Sequence, residues 1–443
     1  MRFSNADLKN MIVPLFGEQL LVLLVGIADT LIVSYAGEAA VSGVSLVNMV
    51  NTIFLYLFTA LASGGAVVIS QYIGRREPDQ AGKAASQLLL FSGLLSGVLA
   101  ALMLTANTSL LKLLFGSVDA EVMDAGVLYL RISAYSYPAL AVYNAGAALH
   151  RSMGKTRVTM NVSLICNAIN LIGNMIGVFL LKAGVAGVAY PSLLARIYSA
   201  VAITRLCFQD HNEVRYRKQW VFRWDRTLLS QILHIAVPNG IEKGLFQLVK
   251  VALSSIVAMF GTYQIAANGV AQSIWSMAAL CGVTMSPVFI TVIGQCMGAG
   301  DTEQAEYYFK KLINISLLIS VIWNSLIFAV TPLLMQAYAL EPETKKLVIR
   351  LVLIHNIFNA AAFPFCGAMS SGLRAAGDVK FTTIVSIGST AAGRLTLSWL
   401  LGSVCNMGVI GIALAMCCDW SIQALIYIRR LQSGKWKQFT LVS

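Results

Sequence analysis

The chain has 443 residues, of which 57% are hydrophobic and only 12% charged. Soluble proteins carry about 25% charged residues, so a water-exposed globular surface is excluded for most of this chain and lipid is the solvent its composition implies. The formal net charge of +12 raises the question of a nucleic-acid partner, which the placement of the basic residues answers in the negative.

Twelve apolar spans follow one another at 8–36, 44–72, 84–107, 126–148, 158–182, 185–208, 230–258, 264–293, 309–336, 347–370, 381–402 and 408–428. Each is long enough to cross a hydrocarbon core of about 30 Å as a helix with some tilt. With the N-terminus in the cytoplasm, and residues near a span end counted with the nearer side, 22 of the 32 Lys and Arg fall on the cytoplasmic side, six on the opposite side and four deep inside spans. That asymmetry is the positive-inside rule. It predicts a multi-pass protein of the inner or plasma membrane with both termini cytoplasmic. No cleavable signal peptide is visible: the short N-terminal stretch Met1 to Asn10 runs directly into span 1. The eight cysteines lie in or beside apolar stretches without CxxC or metal-ligand spacing, as reduced packing residues do.

The first and seventh spans repeat one another. At an offset of 224, residues 13–37 match 237–261 at ten of twenty-five positions, among them Pro14/Pro238, Glu18/Glu242 and Gly37/Gly261. The same offset pairs Gln71/Gln295, Gly74/Gly298, Gly184/Gly408 and Gly187/Gly411, and an offset of 223 pairs Arg151–Gly154 with Arg374–Gly377. Each repeat holds six spans, an even number, so both insert in the same orientation. The expected fold is an all-α integral membrane protein of twelve transmembrane helices, in two six-helix lobes related by a pseudo-two-fold axis along the membrane normal. The N-terminal lobe covers 1–208, a basic cytoplasmic linker 209–229, and the C-terminal lobe with a short cytoplasmic tail 230–443.

An ionisable side chain at bilayer depth normally faces water or a partner, so these residues carry the functional signal. Span 1 holds Glu18 and Asp29, eleven residues apart and on one helix face, about 16 Å apart along the axis. Span 5 holds Asn167, Asn170 and Asn174 in a stripe about 60° wide, with Asn170 and Asn174 near the depth of Asp29. A carboxylate with several amide oxygens suits Na⁺ or a proton; the other reading is asparagines that tie helices together. Span 7 holds Glu242, Lys243 and Lys250, and span 11 holds Arg394 at the depth of Glu242. Glu242 and Arg394 are either a structural ion pair or a carboxylate whose protonation is coupled to substrate. Pro14 and Pro238, one turn before the glutamates, are candidate helix kinks that free a carbonyl. Arg196 and Asp419 are near-equivalent under the repeat and read as contacts within each lobe. His355 reads as a packed histidine, and Met277, Met285 and Trp275 as core or lipid-facing residues rather than a greasy pocket.

These residues resemble the multidrug and toxic compound extrusion (MATE) transporters of prokaryotes. The carriers are Pro14-x3-Glu18 with Ala28-Asp29-Thr30, Ser70-Gln71-x2-Gly74, His150 to Arg157, the span 5 asparagines, Pro238-x3-Glu242, Gly294-Gln295-x2-Gly298 and Leu373-Arg374-Ala-Ala-Gly377. The resemblance implies a V-shaped pair of lobes, alternating access, and multidrug efflux: amphipathic organic cations exported in exchange for Na⁺ or H⁺. It also implies an amino-lobe cation site at Asp29 and Asn170. Asn174 stands where many such members have Asp, which removes a carboxylate, and Glu242 resembles a carboxy-lobe acidic residue that other branches place one turn further along.

The remaining function classes find little here. No HExxH, G-x-S-x-G or phosphate-cradling loop is present, so the chain reads as no enzyme and calls for no cofactor beyond the coupling ion. A receptor or scaffold does not explain the duplicated acids. A lipid-linked oligosaccharide flippase of related architecture is the runner-up, expected to carry more cationic groups along its cavity. The partners are membrane lipids and a small organic substrate, and one two-lobed chain suffices as a monomer.

Overall fold

The computed structural model describes residues 2–116, 118–338 and 340–439; the end of the anticipated tail, 440–443, lies outside them. Among the described residues there is helix and turn but no strand. In a membrane every backbone N–H and C=O must be satisfied within the chain, which leaves a helix as the way for these spans to cross.

The first repeat gives six helices: α1 (Asn5–Ser34), α2 (Glu38–Gly74), α3 (Pro78–Phe115), α4 in two pieces (Ala120–Tyr135 and Tyr137–Ser152), α5 (Thr156–Met175, continued by a π turn, Ile176–Leu180) and α6 (Ala186–Cys207). The second gives α7 (Arg226–Ala258), α8 in two pieces (Thr262–Ala278 and Leu280–Gly298), α9 (Thr302–Ala337), α10 (Pro342–Phe363, a π turn Pro364–Met369, and Ser370–Ala375), α11 (Val379–Gly388 through Leu400–Val404) and α12 (Gly408–Gln432). These are the twelve anticipated spans, most of them lengthened at one end or both. Ten are long and apolar enough to cross a membrane by composition alone. The other two are α4, interrupted at Ser136 just before Pro138, and α7, which carries Glu242, Lys243 and Lys250.

Local chemistry sets the ends. Ser4 and Asp7 form a capping box at the start of α1, each side chain accepting the other's backbone N–H at 3.1 and 2.8 Å, which satisfies two orphan donors. Gly37 and Gly261, matched by the repeat, precede α2 and α8 at φ +111° and +91°, a region open to glycine and hostile to a Cβ. The change of offset from 223 to 224 also has a structural counterpart. A π turn, Ser389–Arg394, lies in α11 with no equivalent in α5, and a π turn absorbs one added residue without ending the helix.

The chain divides into two compact units: Phe3–Val237, and Pro238–Ser443 with Met1–Arg2. The boundary falls inside α7, between Val237 and Pro238. The segment anticipated as linker packs within the first unit. Gln87 of α3 donates through Nε2 to the carbonyls of Trp220 and Arg223 at 3.3 and 2.5 Å and accepts the Asp225 N–H at 3.0 Å, and Lys155 donates to Asn212 at 2.7 Å.

Each unit has its own apolar core, and the cores correspond. Val33, Val47, Val185, Val188 and Ala189 are buried in one cluster of the first unit. Their counterparts at the repeat offset, Val257, Ala271, Val409, Ile412 and Ala413, are buried in a cluster of the second. The exposed faces correspond too: Leu94, Val98 and Leu102 on α3 are open, as are Leu318, Ile322 and Leu326 on α9. An i, i+4 row of bare apolar side chains on a spanning helix is surface for lipid.

Candidate cation and substrate site

In the first unit, Asp29 of α1 sits half-buried against α5. Asn170 donates its amide to Asp29 Oδ2 at 2.6 Å and Asn174 donates to Oδ1 at 2.9 Å. The four-residue spacing of the asparagines places both amides over one carboxylate. Ser192 of α6 fixes Asn170 from behind, donating to its Oδ1 at 2.7 Å. Asn174 is fully buried and its Oδ1 has no hydrogen-bond partner among the described residues. Asn167, anticipated in the same stripe, turns back on its own helix and donates to the Ser163 carbonyl at 2.9 Å, so it is not brought to Asp29.

Glu18 and Glu242, anticipated at bilayer depth beside water or a partner, both have an arginine partner. Glu18, buried to 3% exposure, accepts from Arg151 Nη2 at 2.7 Å, from Tyr143 at 3.3 Å and from Thr159 at 3.0 Å. Glu242 accepts from Arg374 Nη2 at 2.5 Å, and Arg374 also donates to Asn239 at 3.0 Å and Thr382 at 3.3 Å. The two ion pairs are copies: glutamate on the first helix of each repeat, arginine at the end of the fourth, threonine early in the fifth. Arg151/Arg374 was legible as a repeated motif; its pairing with the repeated glutamate is a tertiary fact, and Thr159/Thr382 at the same offset of 223 was the overlooked signal.

The anticipated Glu242–Arg394 pair is therefore corrected. Arg394 reaches Asp419 of α12, with Nη2 at 2.6 Å and Nε at 2.9 Å, and Ser389 and Gln423 also donate to that carboxylate. The reason lies in the duplication. Under the repeat offset Arg394 is the counterpart of Asn170, but the counterpart of Asp29 is Leu253. Lacking a carboxylate at that place on the first helix of its unit, the arginine takes one from the sixth. Arg196, by contrast, donates to Ser136 at 2.6 Å.

Pro14 and Pro238 both lie inside continuous helices. His355 is 1% exposed and neither ring nitrogen has a hydrogen-bond partner among the described residues. Trp275 stacks on Trp420 at 5.7 Å between ring centres, and Met285 is buried; Met277 packs against the second unit's core.

Twelve spanning helices in two copies of a six-helix unit, with polar groups set deep in both, define a multi-pass membrane transporter of duplicated architecture. The chain belongs to the MatE family, whose model matches residues 14–176 and again 238–400, two segments related by the repeat offset itself. It is similar to "Uncharacterized transporter YisQ" of Bacillus subtilis (strain 168), 26% identical over 96% of this chain and 93% of the relative. It is also similar to "Probable multidrug resistance protein NorM" of Thermotoga maritima, 24% identical over 98% of this chain and 93% of that one. Among solved structures, "Outward-facing conformation of a multidrug resistance MATE family transporter of the MOP superfamily" superposes with a TM-score of 0.90 at 20% identity, covering 97% of this chain and 96% of the other. The last shows a shared fold.

Proposed function

We propose that this protein exports amphipathic small molecules across the plasma membrane by antiport against Na⁺ or H⁺, with both termini in the cytoplasm. One observation carries the reading. Of the four carboxylates deep in the spanning helices, Glu18, Glu242 and Asp419 each have an arginine, whereas Asp29 has only amide donors among the described residues. A half-buried carboxylate at bilayer depth without a counter-charge is costly, and a monovalent cation removes that cost when it binds.

The residues present fit either ion. A Na⁺ takes oxygen ligands, and Asn174 and Asn170, whose nitrogens now face Asp29, each bring an oxygen beside it when their amides turn. A proton on Asp29 turns the carboxyl into a donor, and the Asn174 oxygen becomes its acceptor once that amide, which now presents its nitrogen, turns over. Entry of the ion from outside discharges Asp29 and changes the free energy of the two access states by different amounts. That differential is what allows one gradient to drive another solute outward. A single chain carries every group this scheme uses.

The test is reconstitution of the purified protein in liposomes loaded with a fluorescent amphipathic dye. Inward Na⁺ and inward proton gradients are imposed separately. The expected result is dye export under one gradient and its loss in Asp29→Asn, with the melting temperature unchanged. A variant that exports as well as the parent protein removes Asp29 from the mechanism. Movement of a labelled lipid-linked oligosaccharide instead of the dye would replace the exporter reading by the flippase one.

A further inference from the structure

The start of α7 carries a groove that ion-coupled export does not use. Residues 226–237 of this helix belong to the first unit, and one side of the segment is packed there. Leu228, Ile232, Ile235 and Ala236 are buried, and Gln231 accepts from Tyr72 of α2 at 3.3 Å. The opposite side, with Trp224 before it, forms an open groove of about 430 Å³ lined by Trp224, Arg226, Leu229, Ser230, Leu233 and His234.

Helical periodicity sorts the lining into two adjacent rows. Arg226, Ser230 and His234 recur every four residues, and so do Leu229, Leu233 and the exposed Val237. Each polar residue has its apolar neighbour three positions on, and at 100° per residue all six fall within about 140° of the helix circumference. One molecule with a polar head and an apolar body can therefore meet both rows. The depth suits a lipid. From His234 to the end of α7 at Ala258 the helix rises about 36 Å, enough to cross a hydrocarbon core of about 30 Å. Arg226 lies about 12 Å further out, in the headgroup layer, and Val237 about 4.5 Å further in. Phe222 and Trp224, 84% and 49% exposed just before the helix, stand at the level where aromatic side chains gather in membrane proteins.

The polar row is positive and unmatched. Among the described residues, the side chains of Arg226, Ser230 and His234 enter no hydrogen bond or ion pair. Asp225 is the acid beside them, and its carboxylate is turned to the helix end, where it accepts the N–H groups of Thr227 and Leu228 at 3.0 and 3.1 Å. Arg223 adds a further exposed cation. The groove is not part of the duplicated frame. Under the repeat offset Leu229 and Leu233 correspond to Asn5 and Lys9, and Arg2, the counterpart of Arg226, donates to the Gln295 carbonyl at 3.2 Å. An arginine and an apolar row needed only to hold six helices together would recur in the other copy.

We propose that this groove binds an anionic phospholipid, with its phosphate on Arg226, Ser230 and His234 and an acyl chain along Leu229, Leu233 and Val237. A guanidinium presents paired N–H groups that match two phosphate oxygens. Serine adds an O–H donor, and imidazole keeps one N–H donor even when neutral. Basic pockets at the membrane surface suit anionic headgroups. A free phosphate would use the polar row alone and leave the apolar row bare, whereas a phospholipid covers both. The lipid is a bound partner and not the exported solute, so its binding does not depend on the exporter reading.

The test compares a chain-labelled fluorescent phosphatidylglycerol with the diacylglycerol of the same chains, which lacks the phosphate headgroup. Dissociation constants are read from fluorescence anisotropy with purified full-length protein in a neutral detergent. The expected result is phosphatidylglycerol binding at least about tenfold tighter than diacylglycerol. Arg226→Gln and His234→Gln should each lower that preference about threefold or more, and the double variant should abolish it. Leu233→Ser should weaken both lipids alike. Equal affinities in the parent protein overturn the proposal, and so does a preference that survives in a double variant with the parent melting temperature. If the double variant melts lower, Ser230→Trp decides, because it fills the groove and keeps both basic side chains; unimpaired binding there overturns the proposal. Phosphatidylcholine bound as tightly as phosphatidylglycerol would overturn the anionic assignment. Inorganic phosphate that displaces the lipid at the lipid's own concentration would overturn the lipid assignment. Asp29→Asn should lose dye export and keep the lipid preference, and loss of the preference in that variant would overturn the groove as a separate site.

Discussion

The two units began as one sequence and keep one frame, but they put different charges on it. Both tie their first helix to the end of the fourth with a glutamate–arginine pair, Glu18–Arg151 and Glu242–Arg374. Both bury equivalent valine and alanine positions and expose equivalent leucine and isoleucine rows. Away from that frame they diverge. The first helix of the first unit carries Asp29 under two amides; the first helix of the second carries Lys243 and Lys250, with Leu253 where the aspartate was. Shared interactions in a duplicated membrane protein are those each half needs to hold its helices together. Function is best sought in charges present in one copy only, since a frame requirement would apply to both.

The comparison is broken most forcefully at Arg394–Asp419, a fully buried ion pair without a copy in the first unit. Asp419→Asn leaves an arginine at 4% exposure without its carboxylate, and removal of one partner of a buried pair costs about 3–5 kcal/mol. Thermal unfolding in detergent should show this as the largest loss of the series. A melting temperature within a degree of the parent would mean that Arg394 is served by other groups. Next come the copied pairs. Glu18→Gln and Glu242→Gln should each destabilise by up to about 3 kcal/mol, with Glu18→Gln the worse because its side chain is 4% exposed against 19% for Glu242. The double change Glu18→Gln with Arg151→Met should recover part of the loss, since no charge is then left unpaired.

A smaller effect is expected where the units differ in function. Asn174→Asp adds a second carboxylate beside Asp29 and should tighten apparent Na⁺ affinity about tenfold in the liposome assay. An unchanged affinity would place the ion elsewhere. The smallest concerns the periphery. Glu306 of α9, whose counterpart in the first unit is Gly82, accepts from Lys310 at 2.8 Å and Lys437 at 2.6 Å, and these two ammoniums bring its carboxyl down to about 2. A depressed folded-state value stabilises above the ordinary carboxylate range and is lost as pH falls from there toward about 2. Glu306→Gln should therefore melt slightly lower than the parent at pH 6 and approach it at pH 3; parallel curves would show the contact to be worth nothing. The group is largely solvated, so the difference stays below about 1 kcal/mol.

Much of this molecule was written in the order of its residues. Twelve spans, their duplication and the grouping of Asp29 with Asn170 and Asn174 follow from apolar length, a constant offset and helical periodicity, all of them properties of a chain read along one axis. The lysines of α7 were equally visible, because a charge in an apolar run stands out whatever surrounds it. What the order of residues could not decide was partnership across helices. Glu242 and Arg394 share a depth, and depth is a one-dimensional coordinate; which helix each side chain faces depends on how six cylinders pack. Packing gave Glu242 to Arg374, Arg394 to Asp419 and Asn167 back to its own helix, and left Asp29, among the described residues, as the deep carboxylate with amide donors alone. Membrane length and polarity select the helices, while the matching of buried charges across their faces requires all three dimensions.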